Sequence, residues 1–259
     1  MGNFSIKVIG EKIQAAGKLK LKPLCIYGSE TLPQEAAKVA AVDNCLAKAI
    51  FTAANKENPP TLYFGKEAIG GCCPGGTGWT GYAKMAPMID YFISTGNKQF
   101  RNGEAEYLKA SPEVVAESKK AVGNITPLAT YTVISACDTV EKNADVRSLI
   151  CFGNAEQIRN LCSLIHFRST DPFNSVSAAW GPSCATIITY PAGLAEKAPK
   201  KTAFLGPIDP TGNCWFPQDY MSMGIPLKLA SDMCEDIEQS FITKRPHVAY
   251  PNVHETMKK

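Results

Sequence analysis

Pro23-Leu24-Cys25-Ile26-Tyr27-Gly28 is the stretch whose reading decides the fold. Its consecutive apolar positions stop at a glycine, the pattern of a short strand covered on both faces. Ser148-Leu149-Ile150-Cys151-Phe152-Gly153 repeats that pattern. Further out, Thr61-Leu62-Tyr63-Phe64-Gly65 is matched by Thr202-Ala203-Phe204-Leu205-Gly206, and eight positions beyond each final glycine stands a cysteine, Cys73 or Cys214. A helix starting near Cys45 or Cys184 precedes each second strand, and one near Pro87 or Pro226 follows each loop. Five features recurring in order predict a duplicated unit. The expected fold is α+β, a mixed α/β chain of two strand-helix-strand-loop-helix halves over about 20–100 and 145–242. A pseudo-twofold would relate the halves inside one compact domain, 1–259, with 243–259 as a C-terminal tail.

The remaining segments are read from periodicity and breakers. Helices are expected at 6–17, 36–54, 85–94, 155–167 and 226–242, and a buried helix at 184–194 with Pro191 as a kink. The β-branched run at 130–138 reads as a strand, and 169–182 and 207–223 read as loops. Residues 95–123 are polar and read as a solvent-facing helix and loop, with Ser111-Pro112-Glu113 as the helix start.

With 45% hydrophobic and 20% charged residues, the composition is that of a globular chain able to bury a core. Its formal charge of +3 comes from interspersed lysines, arginines and acids, too weak a field for a nucleic-acid partner. The N-terminal stretch has no apolar signal core and no apolar run is long enough for a membrane helix. A cytoplasmic location is expected, without a membrane partner. In that compartment ten cysteines are reduced thiols or metal ligands rather than disulfides.

Cys45, Cys72, Cys73, Cys184 and Cys214 are the candidate metal ligands, because soft thiolates suit iron–sulfur clusters, zinc or copper(I). No Cys-x-x-Cys pair supports them, so the expectation rests on the duplication. Buried hydrophobic packing is the competing role, and it is assigned to Cys25, Cys137, Cys151, Cys162 and Cys234 inside predicted strands and helices. Gly71, Gly75 and Gly76 are candidate cofactor contacts, since successive glycine N–H groups in one loop can cradle a phosphate or carboxylate. Trp79, Trp180 and Trp215 adjoin the cysteines in sequence and are expected to wall the same site. Nucleophilic catalysis by Cys184 at a helix start is a third reading. It is poorly supplied with bases, because His166 closes a helix and His247 and His254 lie in the tail.

Cys45-Leu46-Ala47-Lys48-Ala49, Gly71-Cys72-Cys73-Pro74-Gly75-Gly76, Gly181-Pro182-Ser183-Cys184-Ala185 and Gly212-Asn213-Cys214 followed by Gly224-Ile225-Pro226 resemble the archaeal and bacterial proteins of domain of unknown function family 169. The similarity runs from about Pro23 to Ile242. Two departures stand out: the doubled Cys72-Cys73 leaves the matching position open, and Trp215-Phe216-Pro217 replaces small and basic residues. The resemblance implies a prokaryotic, often anaerobic setting and the four cysteine positions, but no reaction. The expected function is binding of a metal or iron–sulfur cluster in a redox role, with a redox partner and self-association as a homo-oligomer. The alternatives are a binding module for a phosphorylated small molecule or a flat cofactor, a flavin or tetrapyrrole, and a cysteine-dependent enzyme.

Overall fold

A computed structural model describes residues 4–39, 45–66, 72–194 and 202–245. Its strands are β1 (Leu24–Ser29), β2 (Ala37–Lys38), β3 (Leu62–Gly65), β4 (Tyr131–Ala136), β5 (Val146–Asn154), β6 (Val176–Ser177), β7 (Ala203–Gly206) and β8 (Tyr220–Pro226). They form one eight-stranded sheet in the order β2-β3-β4-β1-β5-β8-β7-β6. The inner neighbours are antiparallel, and only the outermost pairs, β2 with β3 and β6 with β7, run parallel.

Helices cover both faces, so the central strands carry apolar side chains in both directions. In β1, Leu24 and Ile26 enter one core while Cys25 and Tyr27 enter the other; in β5, Ile150 and Phe152 oppose Leu149 and Cys151. Burying such a side chain stabilises by about 1.5–3 kcal/mol. On one face lie α1 (Ile6–Gly17), α6 (Ala155–His166) and α7 (Leu227–Asp236), packed through Ile13, Leu161 and Met233. Helix α6 starts with a capping box in which the Asn154 side chain accepts from the Gln157 N–H at 3.0 Å and the Gln157 side chain accepts from the Asn154 N–H at 2.9 Å. The other face carries α2 (Leu46–Ala54), the short α3 (Pro74–Trp79) and a π-helical segment, Ala185–Leu194. Beyond α3 come α4 (Ile89–Ile93) and α5 (Pro112–Val122), and α8 (Phe241–Lys244) ends the described chain.

Several elements differ from the sequence expectation. Residues 36–54 are not one helix: Ala37–Lys38 form edge strand β2, held by Ala37 N–H to Thr61 O at 2.9 Å and Val39 N–H to Tyr63 O at 2.8 Å. Alanine's helix preference is worth only about 0.7 kcal/mol over ordinary residues, less than two ladder bonds supply. Strand β6 likewise lies inside the expected loop 169–182, and β8 begins inside the expected loop 207–223. The 184–194 helix is π-helical rather than α-helical, and its wider turn contains Pro191, whose ring lacks the N–H an α-helix needs. The expected 226–242 helix stops at Asp236, where Ser240 N–H turns back onto Asp236 O at 2.9 Å. The helix near Pro87 is cut to α4, which precedes β4, whereas α7 follows β8; these two helices hold different places in the topology.

Candidate functional site

Cys45 and Cys73 occupy helix N-caps, positions usually held by a serine, threonine or aspartate oxygen. The Cys45 Sγ accepts from the Lys48 N–H at 3.4 Å at the start of α2, and the Cys73 Sγ accepts from the Gly76 N–H at 3.2 Å at the start of α3. Cys214 closes a 3-10 turn, Pro210–Cys214, and is exposed. These three thiols line one cavity of about 370 Å³. Gly75, Trp79, Trp180 and Trp215 line it as well.

Cys72, Cys184 and Gly76 lie behind the wall. A Cβ placed on Gly76 would collide with the Cys72 Sγ and stand 3.6 Å from the Cys73 Sγ and 3.9 Å from the Cys184 Sγ. Three sulfurs thus surround one side-chain-free position, and an added methyl there would displace the Cys72 sulfur while only touching the other two. Gly71 lies outside the described residues. Cys25, Cys137, Cys151, Cys162 and Cys234 all belong to the opposite core, against α1, α6 and α7. None of the ten cysteines is disulfide-bonded.

The thiols differ in acidity. Cys73 is lowered to about 6, because the Cys72 thiol donates to it and the Gly76 and Gly75 N–H groups add to that, against burial and the Asp209 charge. Cys72 is raised, first by donating to Cys73 and then by burial. Burial also raises Cys45, with partial relief from the Lys48 N–H, and holds Cys184 well above the usual thiol range. The acidic thiol is therefore Cys73, and Cys184 is a poor nucleophile where it stands.

The far wall comes from the expected 85–94 helix and from Arg101, Glu106 and Leu108 of the stretch read as solvent-facing. Met85, Ile89, Phe92, Ile93, Arg101, Glu106 and Leu108 all line the cavity, with Lys48 and Asp209. The Glu106 carboxyl is raised by burial first, then by Asp209 and Cys73. Arg101 pairs with Glu104 at 3.1 Å and lies 4.3 Å over the Phe92 ring. Asp209 accepts from the Ser183 hydroxyl at 2.8 Å, one residue before Cys184.

Among the described residues, no three His, Cys, Asp or Glu side chains stand in a grouping that holds a single metal ion. The sulfurs are spread around the cavity and Gly76 rather than gathered on one point.

Residues 12–236 match domain of unknown function family 169, described as uncharacterised ArCR. The chain belongs to this family. The matched span of family 169 runs from α1 to α7 and so contains the whole sheet and every cavity residue named above. No curated protein and no solved structure matches the chain. Among the described residues, no helix is long and apolar enough to cross a membrane.

Proposed function

We propose that this protein holds an iron–sulfur cluster, or another thiolate-bound metal, in a cytoplasmic redox role. The observation that carries the reading is the arrival of Cys45, Cys73 and Cys214 from three chain segments at one cavity, with Cys72 and Cys184 directly behind. Soft sulfur donors select iron–sulfur centres and soft ions. A multi-atom cluster accepts sulfurs spread around a space, which a single ion does not.

The sheet supports a duplicated origin for this donor set. From the β1–β5 pair outward, the order β1-β4-β3-β2 on one side is mirrored by β5-β8-β7-β6 on the other, including the parallel outermost pair. Cys45 then corresponds to Cys184, each just ahead of the helical segment before β3 or β7. Cys73 corresponds to Cys214, each in the loop after that strand. Two cysteines per half make a quartet, of which Cys45, Cys73 and Cys214 line the cavity and Cys184 lies behind it.

A bound cluster supplies one-electron transfer. The chain's part is to hold the sulfurs, to exclude water with Trp79, Trp180 and Trp215, and to tune the potential by the Gly76 N–H donated to the Cys73 Sγ. That same bond weighs against the glycine loop as a phosphate cradle, because the thiol already takes the N–H.

Protein purified without oxygen is expected to contain iron and acid-labile sulfide in stoichiometric amounts, with a thiolate-to-iron charge-transfer band. Cys73→Ser and Cys214→Ser should lose both. Colourless protein that stays metal-free after incubation with iron and sulfide would overturn the reading.

A further inference from the structure

We propose that the cavity seats a compact organic cation, a methylated ammonium or sulfonium group, in the corner between Trp79 and Trp180, faced by the carboxyl groups of Glu106 and Asp209. The two indoles meet at 79° with centroids 5.9 Å apart, and both line the cavity. Rings set nearly at right angles make two sides of a box. A corner of this kind suits a rounded group that touches both rings at once. Ring faces carry negative potential and attract a cation within about 6 Å of their centroids.

The chain already uses one of these rings in that way. The Lys109 ammonium lies 4.5 Å over Trp180, and Lys109 is not among the residues that line the cavity.

The charges around the cavity point the same way. Glu106 and Asp209 both line it, and burial first, then Asp209 and Cys73, raise the Glu106 carboxyl, a shift that a cation seated beside it would oppose. Arg101 is itself engaged by Glu104 and stacked on Phe92. Lys48, in the first turn of α2, also lines the cavity. A volume of about 370 Å³ is at the small end for ligand sites, which fits a compact ligand.

This site is built from the indoles and carboxylates rather than the thiolates, so its occupancy does not require the metal. The 85–108 stretch that completes it lies between α3 and β4, whereas only five residues separate Cys214 from β8. The extra wall therefore encloses the cavity on one side without a counterpart after Cys214.

Titration calorimetry of the full-length protein with choline, set against its uncharged carbon isostere 3,3-dimethylbutan-1-ol, tests the proposal. Choline should bind at one site per chain, and the isostere about tenfold more weakly, since only the cation gains the ring attraction. Glu106→Gln and Trp180→Leu should each weaken choline severalfold, while Glu106→Gln keeps the metal content of the parent. Equal binding of the isostere, or no saturable binding of choline, tetramethylammonium or trimethylsulfonium, overturns it. If Trp180→Leu fails to fold, the comparison of choline with its isostere on the parent protein decides alone. Loss of metal with retained choline binding would sink the cluster reading and leave the cation site standing.

Discussion

The backbone N–H of Gly76 is directed at the sulfur of Cys73 across 3.2 Å, and the missing side chain of the same glycine is what leaves room for the Cys72 sulfur. One residue thus donates to one thiol of the doubled pair and makes space for the other. Gly76→Ala should force the Cys72 sulfur to move, at a cost of about 1–3 kcal/mol for an overpacked site. Urea denaturation should show the loss, and the iron content should fall with it. An unchanged midpoint and unchanged iron would remove Gly76 from the account.

Cys73 should be the fastest thiol to alkylate in metal-free protein. Its rate with iodoacetamide should rise through a midpoint near the value of about 6 set by the Cys72 thiol and the Gly76 and Gly75 N–H groups. The sign follows from the depression below 9.0: the folded state favours the thiolate, so this stabilisation is complete above pH 9 and is lost as pH falls through about 6. Cys72 shifts the opposite way, so the pair holds one proton between its two sulfurs across that range. Pseudo-first-order kinetics with Cys73→Ser as control settles the assignment; a surviving fast phase would place the acidic thiol elsewhere.

Substitutions of cysteine should sort by face of the sheet. Cys214→Ser is exposed and should remove metal with little change in stability. Cys151→Ser is fully buried in the opposite core, where a hydroxyl without a partner costs about 1–3 kcal/mol. It should leave the metal in place. Metal analysis beside chemical denaturation separates the two classes, and a Cys151→Ser protein that folds normally but lacks metal would contradict the partition.

Arg168 is bonded to Asp236 through Nε to Oδ2 at 2.7 Å and through Nη2 to Oδ1 at 2.5 Å, tying the end of α6 to the end of α7. Asp236 is only 6% exposed, so Arg168→Ala strands a nearly buried carboxylate. About 1–3 kcal/mol of stability should be lost, with metal content and choline binding unchanged. Calorimetric unfolding of the variant measures it, and a midpoint equal to the parent's would show that solvent screens the pair completely.

The sequence by itself determined the strands that depend on burial alone. The apolar runs ending at Gly28 and Gly153 lie in β1 and β5, and those ending at Gly65 and Gly206 end β3 and β7, because continuous apolar side chains have no stable place except between two cores. Counting eight positions past Gly65 and Gly206 put Cys73 and Cys214 in the loops after β3 and β7, where they lie.

What only the tertiary structure decided were features with no local signature. Edge strands β2 and β6 exist because β3 and β7 offer backbone partners, and the exposed Ala37 and Lys38 carry no alternation to show it. Glu106 sits in a polar stretch with no period, and its place in the cavity comes from the backbone bonds Glu106 N–H to Phe92 O at 2.7 Å and Leu108 N–H to Ile93 O at 2.9 Å. The choice between Cys72 and Cys73 was made by the N-cap of α3, which aims one sulfur at the cavity and leaves its neighbour to donate from behind. Burial is written residue by residue along a chain, whereas a cavity is defined by segments that meet only after the sheet has formed.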